Sequence, residues 1–182
     1  NRFHVNRGIT PKVYPMFRDG GFMACVYQTD WSWCPLVADF DNDGLKDMII
    51  TNGLPRDVTD LDYVDFNNGQ RGNTANYSLA MTDSLPVVKL LKYAFKNTNG
   101  ITFKNSTKDW GLNTPAFSNG AAYVDLDNDG DLDFIINNLN DPAFVYENTL
   151  NNPGEKSKNN LVVSFEGTKN NIEGIGATIN LY

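Results

Sequence analysis

The feature that most constrains this sequence is a nine-residue pattern that occurs twice. Asp39, Asp41, Asp43, Gly44 and Asp47 spell DxDxDGxxD, and Asp125, Asp127, Asp129, Gly130 and Asp133 spell it again 86 residues later. The likeness runs over residues 36–52 (LVADFDNDGLKDMIITN) and 122–138 (AYVDLDNDGDLDFIINN), and every aspartate of the first loop is matched in the second. Carboxylates at positions 1, 3 and 5 converge only where the backbone curls around one point, and glycine at position 6 permits that turn. Position 7 offers a backbone carbonyl, from Leu45 and Asp131, and position 9 offers another carboxylate. Four side-chain oxygens, one carbonyl and one or two waters suit a hard cation that takes six to eight oxygen ligands. The spacing therefore predicts two calcium ions, one per loop, with magnesium as the lesser alternative because it demands stricter octahedral geometry.

Other readings of the loop fit less well. An EF-hand shares positions 1, 3, 5 and 6 but needs Glu at position 12 between flanking helices, and here Ile50 and Ile136 stand there in strand-like runs. Dockerin-type loops fail on the same ground, and thrombospondin-type calcium repeats need cysteines that this chain lacks. A metal-free, solvated turn would leave four or five carboxylates repelling one another within nine residues, twice over.

Composition supports the same picture. The chain has 18 Asp but only 4 Glu, with 25 Asn and 15 Gly, a balance that favours turns and β-structure over charged helices. Nine of those aspartates lie in the two loops, so two bound calcium ions would move the formal charge from −7 to −3. With 41% hydrophobic residues the chain can bury a core. Negative charge without a basic stripe argues against nucleic acid, and no apolar run is long enough for a membrane span. No signal peptide opens the chain, and Asn1 in place of an initiator Met reads as an excised or processed segment. Cys25 and Cys34 fit either a disulfide across a hairpin or two thiols, and without a Cys/His cluster zinc is excluded. His4, the single histidine, lies too near the chain end to anchor a catalytic triad.

Short segments ending in Asn, FHVN (3–6), AFKN (94–97) and FVYEN (144–148), mark repeat units. From the first loop aspartate to the closing Asn is 58 residues in the first unit and 23 in the second, so the first carries a 35-residue insertion, at about residues 54–92. Its first part is polar, and its second (SLPVVKLLKYAF) interleaves Lys89, Lys92 and Lys96 with apolar residues, which predicts a helix over 78–91 and a strand from Lys92. NTNG (97–100) predicts a hairpin, residues 48–51 and 134–137 predict strands leaving each loop, and 150–160 reads as a linker. The tail 161–182 alternates twice around Gly174 and Gly176. Internal repetition of this kind belongs to propellers, solenoids and arrays.

With its flanks, the loop resembles the calcium-binding loop of FG-GAP repeats, found in integrin alpha-subunit propellers and in VCBS-type repeat proteins. Residues 29–57 (TDWSWCPLVADFDNDGLKDMIITNGLPRD) and 117–148 (FSNGAAYVDLDNDGDLDFIINNLNDPAFVYEN) are similar to repeats of the secreted cartilage-acidic-protein-like group. In that group an ASPIC/UnbV segment follows. Residues 160–181 resemble its start through Asn171, Gly174, Ile175, Gly176 and Ala177, with Ile172 where the family usually has Arg. The resemblance implies a mainly β protein of propeller-type blades; the chain length less the insertion makes it a partial propeller of two to two and a half blades, with the one inserted α-helix read above. Residues 1–97 would be the first repeat unit, 98–148 the second, and 149–182 the linker and the start of the ASPIC/UnbV-like segment. Other blades of the same protein would be its neighbours.

Beyond the loops, Trp31, Trp33 and Trp110 are candidates for a sugar-stacking platform, although the alternation of Trp31 and Trp33 favours a core or channel-facing role. Asp57, Asp60, Asp62 and Asp65 are spaced too irregularly for a second acidic site. No carboxylate pair outside the loops is placed for glycosidic chemistry, and neither Gly-rich spot has the setting of a phosphate cradle. The expectation is a non-catalytic, calcium-binding, extracytoplasmic module for adhesion, recognition or scaffold assembly, meeting a protein or glycan at a surface. The alternative is a carbohydrate-binding or carbohydrate-active domain on the same scaffold.

Overall fold

A computed structural model describes residues 2–9, 11–12, 14–57, 61–62, 64–65, 85–151, 161 and 163–180. The described residues form a mainly β protein of three antiparallel sheets and one short helix. The first sheet pairs β1 (His4–Ile9) with β2 (Pro15–Asp19), and α1 (Gly21–Ala24) follows. The second runs in the order β3 (Ser32–Ala38), β4 (Asp47–Asn52), β5 (Tyr93–Asn97), β6 (Phe103–Asn105). The third runs β7 (Ser118–Val124), β8 (Asp133–Asn138), β9 (Phe144–Tyr146). These sheets do not close into a barrel.

The repeat in sequence is a repeat in register. Val37 pairs with Met48 and Ala38 with Asp47 across the first acidic loop, while Tyr123 pairs with Phe134 and Val124 with Asp133 across the second. On the other side, Met48 faces Phe95 and Phe134 faces Tyr146. Both entering strands also shift register near their starts, between Ser32 and Pro35 and between Ser118 and Ala121. Each acidic loop is therefore the connection of an antiparallel pair, and apolar residues leaving it (Met48, Ile49; Phe134, Ile136) are buried.

The second and third sheets pack on one another. Their shared core holds Leu36, Ala38, Phe40, Ile49, Ala94, Leu112, Phe134 and Ile136. At its centre the Phe40 ring meets Trp110, Tyr123 and Phe134 edge-on. Polar links reinforce the seam, since Thr51 Oγ1 donates to the Asn119 carbonyl at 2.8 Å and Cys34 Sγ to that of Ala121 at 3.7 Å. Gly53, with φ of +145°, lets the chains approach: a Cβ there would lie 2.7 Å from Phe117 Cα.

Several expectations are corrected. The helix expected over 78–91 is not formed over its described part: residues 85–91 are non-helical, with isolated bridges Leu54 to Val88 and Leu90 to Ala116. Pro86 disfavours helical backbone at Leu85, Val87 and Val88 are β-branched, and the bridges supply backbone partners that a helix would have supplied. Residues 78–84 lie outside the described residues, as do Asp60 and linker residues 152–160. Helical backbone occurs instead in α1, which spans four residues, too few to show a helical period, and at residues 61–62 and 64–65 within the insertion. Trp31 and Trp33 do not join the core: they are 39% and 50% exposed, Trp31 just ahead of β3 and Trp33 within its register shift. Trp110 does pack against the core. Of the two readings left open for Cys25 and Cys34, the thiol one holds: both are free, Cys25 exposed and Cys34 half-buried. The described tail residues, 161 and 163–180, form no strand, and Leu161, Ile172 and Ile175 are exposed. Alternation alone cannot make a strand that has no neighbour to pair with.

The hairpin at 97–100 and the strands at 48–51 and 134–137 are present as expected. No helix among the described residues is long and apolar enough to cross a membrane.

Candidate metal centre

Each acidic loop is shaped by its own aspartates. In the first, Asp39 accepts hydrogen bonds from Asp43 N (3.0 Å) and Gly44 N (2.8 Å), and Asp43 accepts one from Leu45 N (2.9 Å). In the second, Asp125 accepts from Gly130 N (3.1 Å), Asp127 from Asp129 N (3.2 Å), and Asp129 from Asp131 N (3.0 Å). Such turns fold the backbone inward, and Asn42 and Asn128 at position 4 take the left-handed conformation that Asn tolerates, φ 53° and 62°. Gly44 and Gly130 follow with φ of 88° and 91°, as position 6 requires.

The curl brings carboxylates together. Asp39, Asp41 and Asp43 each present an oxygen within 4.8 Å of the others, and so do Asp125, Asp127 and Asp133. Asp47 stands outside the first of these groups and Asp129 outside the second. The position-7 residues, Leu45 and Asp131, whose carbonyls are the expected ligands, are held in the turn by the amide bonds just given.

Asp47 and Asp133 have a second role that the spacing did not reveal. Asp47 is fully buried and accepts from Phe40 N at 3.1 Å and Asn97 N at 2.8 Å. Asp133, 2% exposed, accepts from Leu126 N and Asn148 N, both at 2.8 Å. The closing Asn reciprocates: Asn97 Nδ2 donates to the Lys46 carbonyl at 3.0 Å, and Asn148 Nδ2 to the equivalent Leu132 carbonyl at 3.4 Å. This clasp ties the mouth of each loop to the next strand of the sheet. The FHVN marker does not share it, since Asn6 Oδ1 accepts from Gly8 N in a local turn. Each carboxylate oxygen of Asp47 and Asp133 retains acceptor capacity beyond its amide bond.

The loops also touch. Asn42 Nδ2 donates to the Gly130 carbonyl at 3.3 Å, and Asn148 Nδ2 also reaches the Phe40 carbonyl at 2.7 Å. Asn151 covers the second loop, its N–H on Asp131 Oδ2 at 3.0 Å and its Nδ2 on the Asp129 carbonyl at 3.3 Å.

Electrostatics are strained in a way a cation would relieve. Asp125 Oδ1, Asp129 Oδ2 and Asp131 Oδ1 are buried and find no hydrogen-bond partner among the described residues. A buried carboxylate oxygen left unpaired is costly, and an oxygen-seeking divalent ion is the kind of group that satisfies several at once. Burial pushes the Asp131 carboxyl up to about 6; the Asn151 amide opposes the shift, while Asp129, Asp133 and Asp127 add to it. Asp47 is also raised by burial, against its two amide bonds and with a further push from Asp43 and Asp39. In the first loop a cationic side chain is present: Lys96 Nζ contacts Asp41 and lies 3.1 Å from Asp43 Oδ2. The donors are all oxygen, so the set fits calcium or magnesium rather than a soft metal.

Two further lysines from the predicted helical run have specific places. Lys89 pairs with Asp141 at 2.6 Å. Lys92 is fully buried between the sheets, donating to the Thr114 carbonyl at 2.7 Å and Tyr146 Oη at 3.3 Å, with its ammonium 4.2 Å from the Phe144 ring centre.

Together, fold and site define a mainly β protein in which two of the three sheets each carry a glycine-turned acidic loop clasped to a neighbouring strand. The chain matches no protein-family model, and no curated protein matches it.

Proposed function

We propose that this chain is a calcium-binding, non-catalytic repeat module of an extracytoplasmic protein, built from FG-GAP-type blades and serving adhesion, recognition or scaffold assembly. The observation that carries the reading is the duplication of one device: aspartates at the same positions of a glycine-turned loop and the same Asp–Asn clasp, in the same strand register. The buried unpartnered oxygens of Asp125 and Asp129 supply the reason for an ion. Asp39, Asp41, Asp43, Asp47 and the Leu45 carbonyl would hold one calcium, and Asp125, Asp127, Asp129, Asp133 and the Asp131 carbonyl the other. The ion would neutralise the clustered charge and fix the connection between two strands, so its binding would stabilise the native state.

An extracytoplasmic setting supplies millimolar calcium, enough for sites with a dissociation constant near ~10⁻⁴ M. At ten times that constant each site contributes about 1.4 kcal/mol, which for a chain of this size amounts to about 6–11 °C of melting temperature over both. Thermal melts in 1 mM calcium and in excess EGTA test this. Equal melts, with no calcium found by elemental analysis, would refute it.

One observation favours the carbohydrate reading as a second candidate: Trp31 and Trp33 are exposed, and Trp33 is fixed by its Nε1 bond to the Gly53 carbonyl at 2.6 Å. An exposed, oriented indole suits a pyranose face. Glycan-array binding that is lost in Trp33→Ala but kept at saturating calcium would support it, and a blank array would exclude it.

A further inference from the structure

We infer that the two acidic loops are unequal cation sites, because Lys96 is a built-in counter-ion of the first: a divalent ion enters there only by displacing its ammonium, and the second loop is the tighter site. The inference rests on the calcium reading above.

Lys96 Nζ contacts Asp41 Oδ2 and lies 3.1 Å from Asp43 Oδ2, so it engages two of the three carboxylates that converge in the first loop. Its position is set by the ladder rather than by the loop. Met48 pairs with Phe95 and Phe134 with Tyr146, so the next residues, Lys96 and Glu147, occupy equivalent places, one before the clasp asparagines Asn97 and Asn148. Where the first repeat offers an ammonium, the second has a carboxylate.

The remaining differences act in the same direction. Position 7 is Leu45 in the first loop and Asp131 in the second, giving four carboxylates against five. Buried carboxylate oxygens without a hydrogen-bond partner among the described residues number three in the second loop (Asp125 Oδ1, Asp129 Oδ2, Asp131 Oδ1) against one in the first, Asp41 Oδ1, whose other oxygen Lys96 pairs. A doubly charged ion thus gains more at the second loop, where no ammonium must be expelled and more negative charge surrounds it. The Lys96 side chain is 34% exposed, so the displaced ammonium has a path to water. Displacement therefore weakens the first site without closing it. The two sites fill in order, the second loop first, and the clasp between Asn148 and the Phe40 carbonyl joins that loop to its partner.

The test is calcium titration by calorimetry on the whole chain, comparing the natural sequence with Lys96→Met, Glu147→Lys and Asp43→Asn. The natural chain should show two constants, and Asp43→Asn should remove the weaker. Lys96→Met should tighten the weaker site about three- to tenfold, the equivalent of breaking a partly exposed ion pair, and leave the tighter one in place. Glu147→Lys should weaken the tighter site by a similar factor. Unchanged constants in both Lys96→Met and Glu147→Lys, or loss of the tighter site in Asp43→Asn, would overturn the inference while leaving the calcium reading standing. No binding by any variant would overturn both.

Discussion

Lys92 gives a pH dependence that can be worked out from its surroundings. It is fully buried between two sheets and faces a carbonyl, a phenol and two aromatic rings, with no carboxylate hydrogen-bonded to it among the described residues. Burial pushes its ammonium down from 10.5 to about 8. The Phe144 ring face and the Thr114 carbonyl make the charge tolerable without restoring its hydration. In the unfolded chain the group keeps its proton to a pH near ~10.4, so between about 8 and 10.4 the unfolded state binds a proton that the folded state has released. Stability must then rise with pH across that window. Below it, both states are protonated and the folded chain carries the full cost, about 3 kcal/mol from the size of the shift. From pH 7.5 to pH 10 the gain is about 2 kcal/mol, or roughly 4–8 °C of melting temperature for a chain of this size. Tyr146 and Tyr93 are raised by burial and act in the opposite sense from the ordinary tyrosine range, near ~10, upward, so Lys92 dominates the window up to about pH 10. Thermal melts at fixed calcium should therefore climb from pH 7.5 to pH 10 in the natural chain and stay flat in Lys92→Met. Parallel pH profiles of the two proteins would refute the reasoning.

Three other outcomes follow from the packing. Asp47→Asn replaces one acceptor by a donor in a buried site that receives two amide N–H groups, so it should cost about 2–3 kcal/mol in urea unfolding even in EGTA, and Asp133→Asn should behave alike. Asn148→Ala removes the bonds to the Phe40 and Leu132 carbonyls and should lower stability by about 1–2 kcal/mol, read in the same assay. Gly53→Ala drives a methyl to 2.7 Å from the Phe117 backbone at a positive φ, and should cost more than about 2 kcal/mol, whereas Ala at Gly120, where a Cβ meets nothing within 4 Å, should be tolerated.

What could be read from the sequence was what local chemistry determines. The acidic loops, their glycine turns, the strands leaving them and the 97–100 hairpin all follow from spacing and turn preferences within about ten residues. What could not be read depends on distant partners. Lys89, Lys92 and Lys96 show helical spacing, yet Pro86 and the bridges from Leu54 and Ala116 keep that stretch non-helical, and each lysine goes to a different acceptor: Asp141, the Thr114 carbonyl, and the first acidic loop. The closing asparagines were visible as repeat markers, but their bonds to Lys46 and Leu132 appear only once β5 and β9 are paired to β4 and β8. The alternation of Trp31 and Trp33 assumes a regular strand, but Trp31 precedes β3 and Trp33 lies within its register shift, so alternation does not fix which face they take.

Two loops that hold two calcium ions, as proposed, make the ions countable. Native mass spectrometry after calcium loading tests this directly by counting ions per chain. The account predicts two for the natural sequence and one after Asp41→Asn/Asp43→Asn or after Asp127→Asn/Asp129→Asn. No bound calcium in the natural chain, or a count of two that survives both double substitutions, would contradict it.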